Sequence, residues 1–272
     1  GTRQAIAARR PDRRQFIPLL VRTLGDLVYR DGTQQLIATQ RGRDLTLDGR
    51  HIWMTSMESN NLIAIDHKAG SDPQNEMTPI PFDQNARLIE YDGKGKLILT
   101  PSMADDATDL DLYVMDVNRR EVQRIVFLPG IDSGLLQPAD CLGVDPYFVW
   151  LSLPYSGDLN LSVMVVLDLG TFTLEAIQAF PRIRRFCFDG KHMWVVSQYN
   201  LASGAISFFQ KYWVSSGGFQ IINAIPQSGR VVDMAFDGAF LWATFSGERV
   251  PVRINVNTDE VFPLGEHAMD DA

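Results

Sequence analysis

The stretch Leu47-Asp48-Gly49-Arg50-His51-Ile52-Trp53 returns almost unchanged as Phe188-Asp189-Gly190-Lys191-His192-Met193-Trp194. Further copies run from Phe236 to Trp242, from Val144 to Trp150 with Pro in place of Gly, and, more weakly, from Tyr91 to Leu97. The aspartates of successive copies are 44, 53, 44 and 48 residues apart, and in four copies a Trp follows the Asp by five positions. A period of this length indicates a fold built from repeated units.

Each copy has the composition of two short strands joined by a tight turn. The Asp accepts hydrogen bonds from nearby backbone N–H groups and the Gly tolerates positive φ, a combination that favours a turn. A polar loop, a third apolar strand that closes on Asp or Asn, and a fourth strand follow, as in Leu112–Asp116 and Val122–Phe127. Short strands at even spacing are typical of an all-β protein.

Four antiparallel strands in about 45 residues form one blade of a β-propeller. A lone blade cannot bury both faces of its sheet, so we interpret the repeated Trp as a packing residue between blades. The sequence therefore predicts one all-β propeller domain over residues 17–266, between a basic arm (1–16) and a C-terminal tail (267–272). Five repeats begin at about residues 43, 87, 140, 184 and 232. The N-terminal strands of 17–42 form either an irregular sixth blade, which we favour, or an outer closure of the ring.

The repeat resembles those of the YVTN, NHL and streptogramin-lyase-like propellers, whose core also pairs Asp-Gly with a following Trp. The likeness covers roughly residues 43–264. It implies the propeller fold and no particular activity, because such repeats occur in proteins of unrelated function.

Composition excludes some functions. The net charge of −8 and the pI near 5.0 argue against sequence-independent binding to nucleic acid, which needs a basic surface. The sequence contains no run of about 18 apolar residues, so no membrane-spanning helix is predicted. Cys141 and Cys187 are interpreted as free, buried thiols. The arginine-rich segment 1–14 is either a solvated tail or an arm for assembly with an acidic partner.

The candidate ligand site lies at the axial mouth, on the face that carries the second-to-third-strand loops and the links between blades. The candidate ligand-binding residues are Asp44, Arg87, Glu90, Asp140, Arg185, Asp233, Tyr155 and Tyr199. A ring of opposed Asp and Arg either holds a small polar ligand or a metal, or neutralises itself and closes the channel. Glu90 lies deeper and needs an arginine or a metal beside it.

A second candidate is the acidic loop 103–111, where Asp105, Asp106, Asp109 and Asp111 either bind Ca²⁺ or are simply solvated. No other cofactor is predicted. His51 and His192 occupy the same position of the repeated turn and are interpreted as structural. The sequence contains no Ser elbow, Walker loop, dinucleotide fingerprint or zinc spacing.

These observations favour a non-catalytic binding or scaffold module that recognises a protein or a glycan. Propellers with similar repeats occur in phage virion and tail-fibre proteins, and this resemblance implies a place in a larger assembly, with an extracellular or virion location favoured over the cytoplasm. The alternative is a metal-dependent lyase or lactonase acting at the axial mouth. The His and Glu that the resemblance to such lyases would require have no matching residues in this sequence.

Overall fold

The computed structural model describes residues 42–56, 61–66, 77–81, 86–101, 110–128, 135–158, 160–202, 204–246 and 250–264. This part of the chain forms 19 β-strands and contains no helix, and so no helix that could span a membrane. The strands pair antiparallel with their sequence neighbours throughout. The chain is thus an all-β propeller of four-stranded antiparallel blades, and this prediction is confirmed.

Five blades are built from consecutive strands. Blade 1 contains β1 (Gly42–Leu47), β2 (His51–Ser56), β3 (Asn61–Asp66) and β4 (Met77–Pro81). Blade 2 contains β5 (Ala86–Tyr91), β6 (Lys96–Pro101), β7 (Leu110–Asp116) and β8 (Val122–Leu128). Blade 3 contains β9 (Cys141–Val144), β10 (Phe148–Pro154), β11 (Leu161–Asp168) and the first half of β12 (Leu174–Phe188). Blade 4 contains the second half of β12, β13 (His192–Leu201), β14 (Gly204–Ser215) and β15 (Gly218–Ser228). Blade 5 contains β16 (Val231–Phe236), β17 (Phe240–Phe245), β18 (Val252–Asn255) and β19 (Val261–Pro263).

Blades 3 and 4 share the continuous strand β12. Its first half pairs with β11 as far as Pro181, and its second half pairs with β13 from Arg182 onwards. The outermost strand of one blade therefore becomes the innermost strand of the next without a loop. This connection fixes the position of residues 182–185 relative to both blades.

The innermost strands β1, β5, β9, β12 and β16 contact one another in succession around the axis. Between β16 and β1 the described residues make no extensive contact. The predicted sixth blade would be formed by N-terminal strands, and residues 17–41 lie outside the described part of the chain, as do the basic arm and the C-terminal tail.

The repeated Trp residues pack each blade onto the following one. Trp53 lies in the apolar cluster that contains residues of blade 2, Trp150 packs with residues of blade 4, and Trp194 packs with residues of blade 5. All three are almost completely buried, whereas Trp242 of blade 5 is only partly buried. The interpretation of these residues as inter-blade packing groups is confirmed for the first three.

Blade 2 departs from the repeat because its turn is one residue longer. Asp92 N–H donates to the carbonyl of Lys96, whereas Asp48 N–H donates to that of His51. Since a one-residue shift exchanges the two faces of a strand, Leu97 faces blade 1. Ile98 takes the place of the Trp and packs towards blade 3. The equivalence between Leu97 and the Trp positions, suggested by the sequence, is therefore wrong.

The repeated aspartates organise the turns as predicted. Asp48 Oδ1 accepts from the N–H groups of Arg50 and His51 at 2.7 and 2.6 Å, and the same pattern recurs in the other copies. The second oxygen accepts the indole N–H of the following Trp at 2.7–2.8 Å in all four Trp-containing copies. It also contacts Nδ1 of His51 and of His192, which explains why both histidines belong to the turn.

Candidate functional site

The alternating strand directions give the propeller two chemically different faces. The face with the Asp-Gly turns and the third-to-fourth-strand turns is called here the turn face. The opposite face, with the second-to-third-strand loops and the links between blades, is called the loop face. All eight candidate ligand residues belong to the innermost strands or to the loop face.

The innermost strands carry a β-bulge at the same place in four of the five blades. The pairing register skips Arg43, Arg87, Arg184 and Val232. A bulge leaves the extra residue unpaired and redirects its side chain. Three of the four bulge positions hold arginine, namely Arg43, Arg87 and Arg184, whereas the bulges themselves are visible only in the pairing of the strands.

Asp44 begins the regular part of β1 and binds the neighbouring blade. Its Oδ2 accepts the backbone N–H of Ile89 at 2.9 Å. Burial raises the pKa of Asp44 to about 6, against the opposing effects of the hydrogen bonds from the Ile89 and Leu45 N–H groups and of the Arg185 charge. The carboxylate of Asp233 raises the pKa further, so the three charged side chains belong to one electrostatic neighbourhood near the axis.

Arg185 and Asp233 form an ion pair across blades 4 and 5. Nε of Arg185 lies 3.1 Å from Oδ1 of Asp233, and both side chains remain about two-fifths exposed, at 42% and 41%. Nη1 of Arg185 also donates to the carbonyl of Arg184 at 2.9 Å. At these two positions the opposed charges are paired with each other.

Arg87 and Asp140 both contact the links next to blade 3. Nη1 of Arg87 donates to the carbonyl of Pro138 at 3.2 Å. Oδ2 of Asp140 lies 2.6 Å from Nη2 of Arg182, with both side chains largely buried. Arg182 was not among the residues selected from the sequence, because it lies seven positions before the repeat Asp and inside a strand whose change of blade only the structure shows.

Glu90 lies deeper along the same strands, as expected. Its Oε2 accepts the hydroxyl of Thr46 from blade 1 at 3.3 Å, and the Thr46 hydroxyl in turn accepts the N–H of Tyr91 at 3.2 Å. This side chain therefore takes part in the contact between blades 1 and 2.

The two candidate tyrosines differ in exposure. Tyr155 is partly buried against the apolar cluster between blades 2 and 3, and an added Cβ at Gly157 would lie 2.9 Å from its ring. Tyr199 is 45% exposed and stands edge-on to Phe208, with ring centroids 5.4 Å apart. Of these two candidates, Tyr199 offers the larger exposed aromatic surface on the loop face.

The two cysteines differ in burial. Cys141 is buried, as predicted, whereas Cys187 is half-buried, so the prediction of a buried thiol is wrong for Cys187. Burial raises the pKa of the Cys141 thiol, whose Sγ donates to the carbonyl of Arg184 at 2.9 Å.

Three of the four candidate calcium ligands, Asp105, Asp106 and Asp109, lie outside the described residues. Asp111 is described, and its carboxylate pairs with Nε of Arg124 on the adjacent strand. Within the described ranges no group of three or more His, Cys, Asp or Glu side chains is placed to hold a metal ion.

The turn face contains an open cleft of about 270 Å³ between blades 2 and 3. Its polar groups already serve the fold. The carboxylates of Asp92 and Asp168 accept turn N–H groups, and Nζ of Lys94 donates to the carbonyl of Pro146 at 2.8 Å. The cleft is therefore a by-product of two neighbouring turns rather than a cluster of uncommitted groups.

No protein-family model matches the chain, and no curated protein matches it. Solved structures of other propellers do. Hydrazine synthase of Kuenenia stuttgartiensis superposes with a TM-score of 0.57 at 12% identity over 80% of this chain. The chain spans 65% of that protein's chain, less than two thirds of its length.

Two further structures extend the comparison. The β-propeller domain of Cps50 (Swd1) from Myceliophteria thermophila gives a TM-score of 0.57 at 11% identity, covering 82% of this chain and 72% of that one. The β-propeller domain of the trilobed protease from Pyrococcus furiosus gives 0.53 at 10% identity, covering 86% and 72%. At such identities the likeness shows the propeller fold alone.

Proposed function

We propose that the protein is a non-catalytic binding module that recognises a protein partner through its loop face. The observation that carries the proposal is the side chain of Tyr199, which is 45% exposed on the loop face. The carboxylates of the turn face accept the hydrogen bonds of the repeated turns, whereas the loop face also carries Arg184 and Arg230 at the innermost strands. Tyrosine and arginine are the residues most enriched where proteins bind one another.

The supporting scaffold is rigid where this surface is carried. Asn200 Nδ2 of blade 4 donates to Oδ1 of Asn160 in blade 3 at 2.5 Å, and the N–H of Arg182 donates to the carbonyl of Asn160 at 2.7 Å. The continuous strand β12 joins the same two blades. A pre-organised surface loses little conformational freedom on binding, which favours affinity. One of the structures with a similar fold is that of KlAtg21 in complex with the coiled coil of AgAtg16, at 10% identity.

Two tyrosines allow a matched test of the face that is used. Tyr199 on the loop face and Tyr147 on the turn face are exposed by 45% and 39%. A photo-crosslinking phenylalanine derivative is placed at either position, and the purified variants are irradiated in an extract of the source organism. We expect a discrete adduct, competed by unlabelled protein, from position 199 and none from position 147.

The outcome is decided by comparing the two variants. Equal adduct formation at both positions, or adducts at position 147 alone, would contradict the assignment to the loop face. The absence of competition by the unlabelled protein would show that any adduct is non-specific and would remove the support for a binding function.

A further inference from the structure

Three arginines of the loop face stand close together where blades 3, 4 and 5 meet. Arg182 and Arg184 lie at the point where β12 passes from blade 3 to blade 4, and Arg230 immediately precedes β16 of blade 5. Arg184 is the bulge residue of its strand. The cluster formed by Arg182, Arg184 and Arg230 is called here the arginine cluster.

Arg184 is held in place by a buried amide. Its Nε donates to Oε1 of Gln198 at 2.9 Å, and Gln198 is only 1% exposed. The same Gln198 side chain donates to Oδ1 of Asn200, which is tied to blade 3 through Asn160. The guanidinium is thus oriented by a connected set of hydrogen bonds, while its terminal nitrogens have no acceptor among the described residues.

The carboxylates near the cluster are too few to neutralise it. Asp140 pairs with Arg182 at 2.6 Å, and Asp233 pairs with Arg185 rather than with a member of the cluster. Nε and Nη1 of Arg182 are buried without a hydrogen-bond partner. Arg230 is exposed and has no acidic partner within the described part of the chain.

The pKa shifts of the neighbouring residues Arg184 and Arg185 reflect the excess of positive charge in the cluster. Burial lowers the pKa of Arg184, and the charges of Arg230 and Arg182 lower it further, against the opposing effect of Asp140. Burial also acts to lower the pKa of Arg185, but the carboxylate of Asp233 opposes this effect and that pKa is shifted upward. The local repulsion at Arg184 is what a bound anion would relieve.

We propose that the arginine cluster binds carboxylate side chains of an acidic segment of the protein partner. The inference deepens the proposed function and rests on it. A planar guanidinium fits a carboxylate with two parallel hydrogen bonds. Because the chain carries a net charge of −8, the positive arginine cluster differs in sign from the protein as a whole, and attraction at this mouth would orient an acidic partner.

The test uses fluorescein-labelled octaglutamate and octaglutamine peptides and the full chain. Arg184→Gln/Arg230→Gln removes two positive charges from the cluster. Arg119→Gln/Arg120→Gln removes the same charge from two exposed arginines of the turn face and serves as the matched control. We expect octaglutamate, but not octaglutamine, to bind the wild type, with binding reduced by about tenfold or more in the first variant only, since that variant loses two charge-assisted hydrogen-bonding groups.

Several results would overturn the inference. These are equal losses in the two double variants, equal binding of the two peptides, or displacement of octaglutamate by inorganic phosphate at the same concentration of negative charge, which would indicate a site for small anions. Thermal unfolding of each variant checks that the fold is intact, and Arg184→Lys/Arg230→Lys should restore part of the binding. If crosslinking at position 199 succeeds while octaglutamate fails to bind, the acidic-segment inference fails and the proposed function stands.

Discussion

The turn face and the loop face use the same residue types for different purposes. On the turn face four of the five blades repeat one arrangement, in which an Asp carboxylate accepts two backbone N–H groups and one Trp indole N–H. In blade 2 the carboxylate of Asp92 accepts two backbone N–H groups and no indole N–H. On the loop face the equivalent positions hold Asp44, Leu88, Cys141, Arg185 and Asp233. The turn-face residues are repeated because every blade has the same packing requirement there. The loop-face positions differ from blade to blade because they are not under that requirement.

The pKa values of the aspartates also differ between the turn face and the axial mouth. The pKa values of Asp48 and Asp237 on the turn face are lowered because hydrogen bonds from backbone and indole N–H groups outweigh burial. The pKa of Asp44 at the axial mouth is raised because burial outweighs its hydrogen bonds. Asp145 is the exception on the turn face, since the same hydrogen bonds are outweighed there by deeper burial, which raises its pKa.

The largest effect is expected from removing one of the repeated Trp side chains, which tests whether these residues hold the blades together. Trp150 is completely buried between blades 3 and 4, whereas Trp213 lies outside the repeat and is 45% exposed. We expect Trp150→Ala to lower the free energy of unfolding by about 3–5 kcal/mol, and Trp213→Ala to change it by about 0.5 kcal/mol or less. Denaturant unfolding of both variants measures the difference, and similar losses would refute the structural role of the repeat.

A medium effect on the free energy of unfolding is expected from a change of pH. Its sign is opposite for Asp44 at the axial mouth and for Asp116 on the turn face. Asp44 has a folded pKa of about 6 against 3.8 unfolded, so the unfolded chain loses this proton first and stability falls as pH rises from about 4 to 6. Asp44→Asn should remove this loss, which amounts to about 1–3 kcal/mol.

Asp116 on the turn face is the control of opposite sign. Its pKa is lowered, first by the hydrogen bond from the Arg119 N–H, so its contribution is present above the unfolded pKa and is lost as pH falls through the lowered folded value. Urea unfolding of the wild type, Asp44→Asn and Asp116→Asn between pH 3 and 7 measures both slopes. Parallel curves for the wild type and Asp44→Asn would contradict the raised pKa.

The smallest effect concerns the third-to-fourth-strand turns. Arg120, Phe172 and Asp259 occupy equivalent positions with φ of 59°, 57° and 60°. Arg120 is exposed, so Arg120→Gly relieves the left-handed backbone without loss of packing, whereas its neighbour Arg119 has no such strain to relieve. We expect Arg120→Gly to be more stable than Arg119→Gly by about 1 kcal/mol, measured as a difference in thermal unfolding; a reversed order would refute the strain.

Part of the difference between the turn face and the loop face could be predicted from the sequence. The Asp-Gly turns and the inter-blade Trp residues follow from a repeat that is visible in the residues themselves. The hydrogen bond between Glu90 and Thr46 could not be predicted from the sequence, because it joins residues 44 positions apart in two different blades. The comparisons support the propeller fold, and they give no support to recognition of a glycan or to a place in a virion.

The sequence by itself determined the repeated blade, since each turn and each packing residue depends on neighbours within a few positions. Only the tertiary structure decided which residues meet at the axis. The bulges at Arg87 and Arg184, the longer turn of blade 2 and the passage of β12 between blades each shift the register by one residue or change the partner strand. Such shifts leave composition and periodicity almost unchanged but redirect every side chain beyond them.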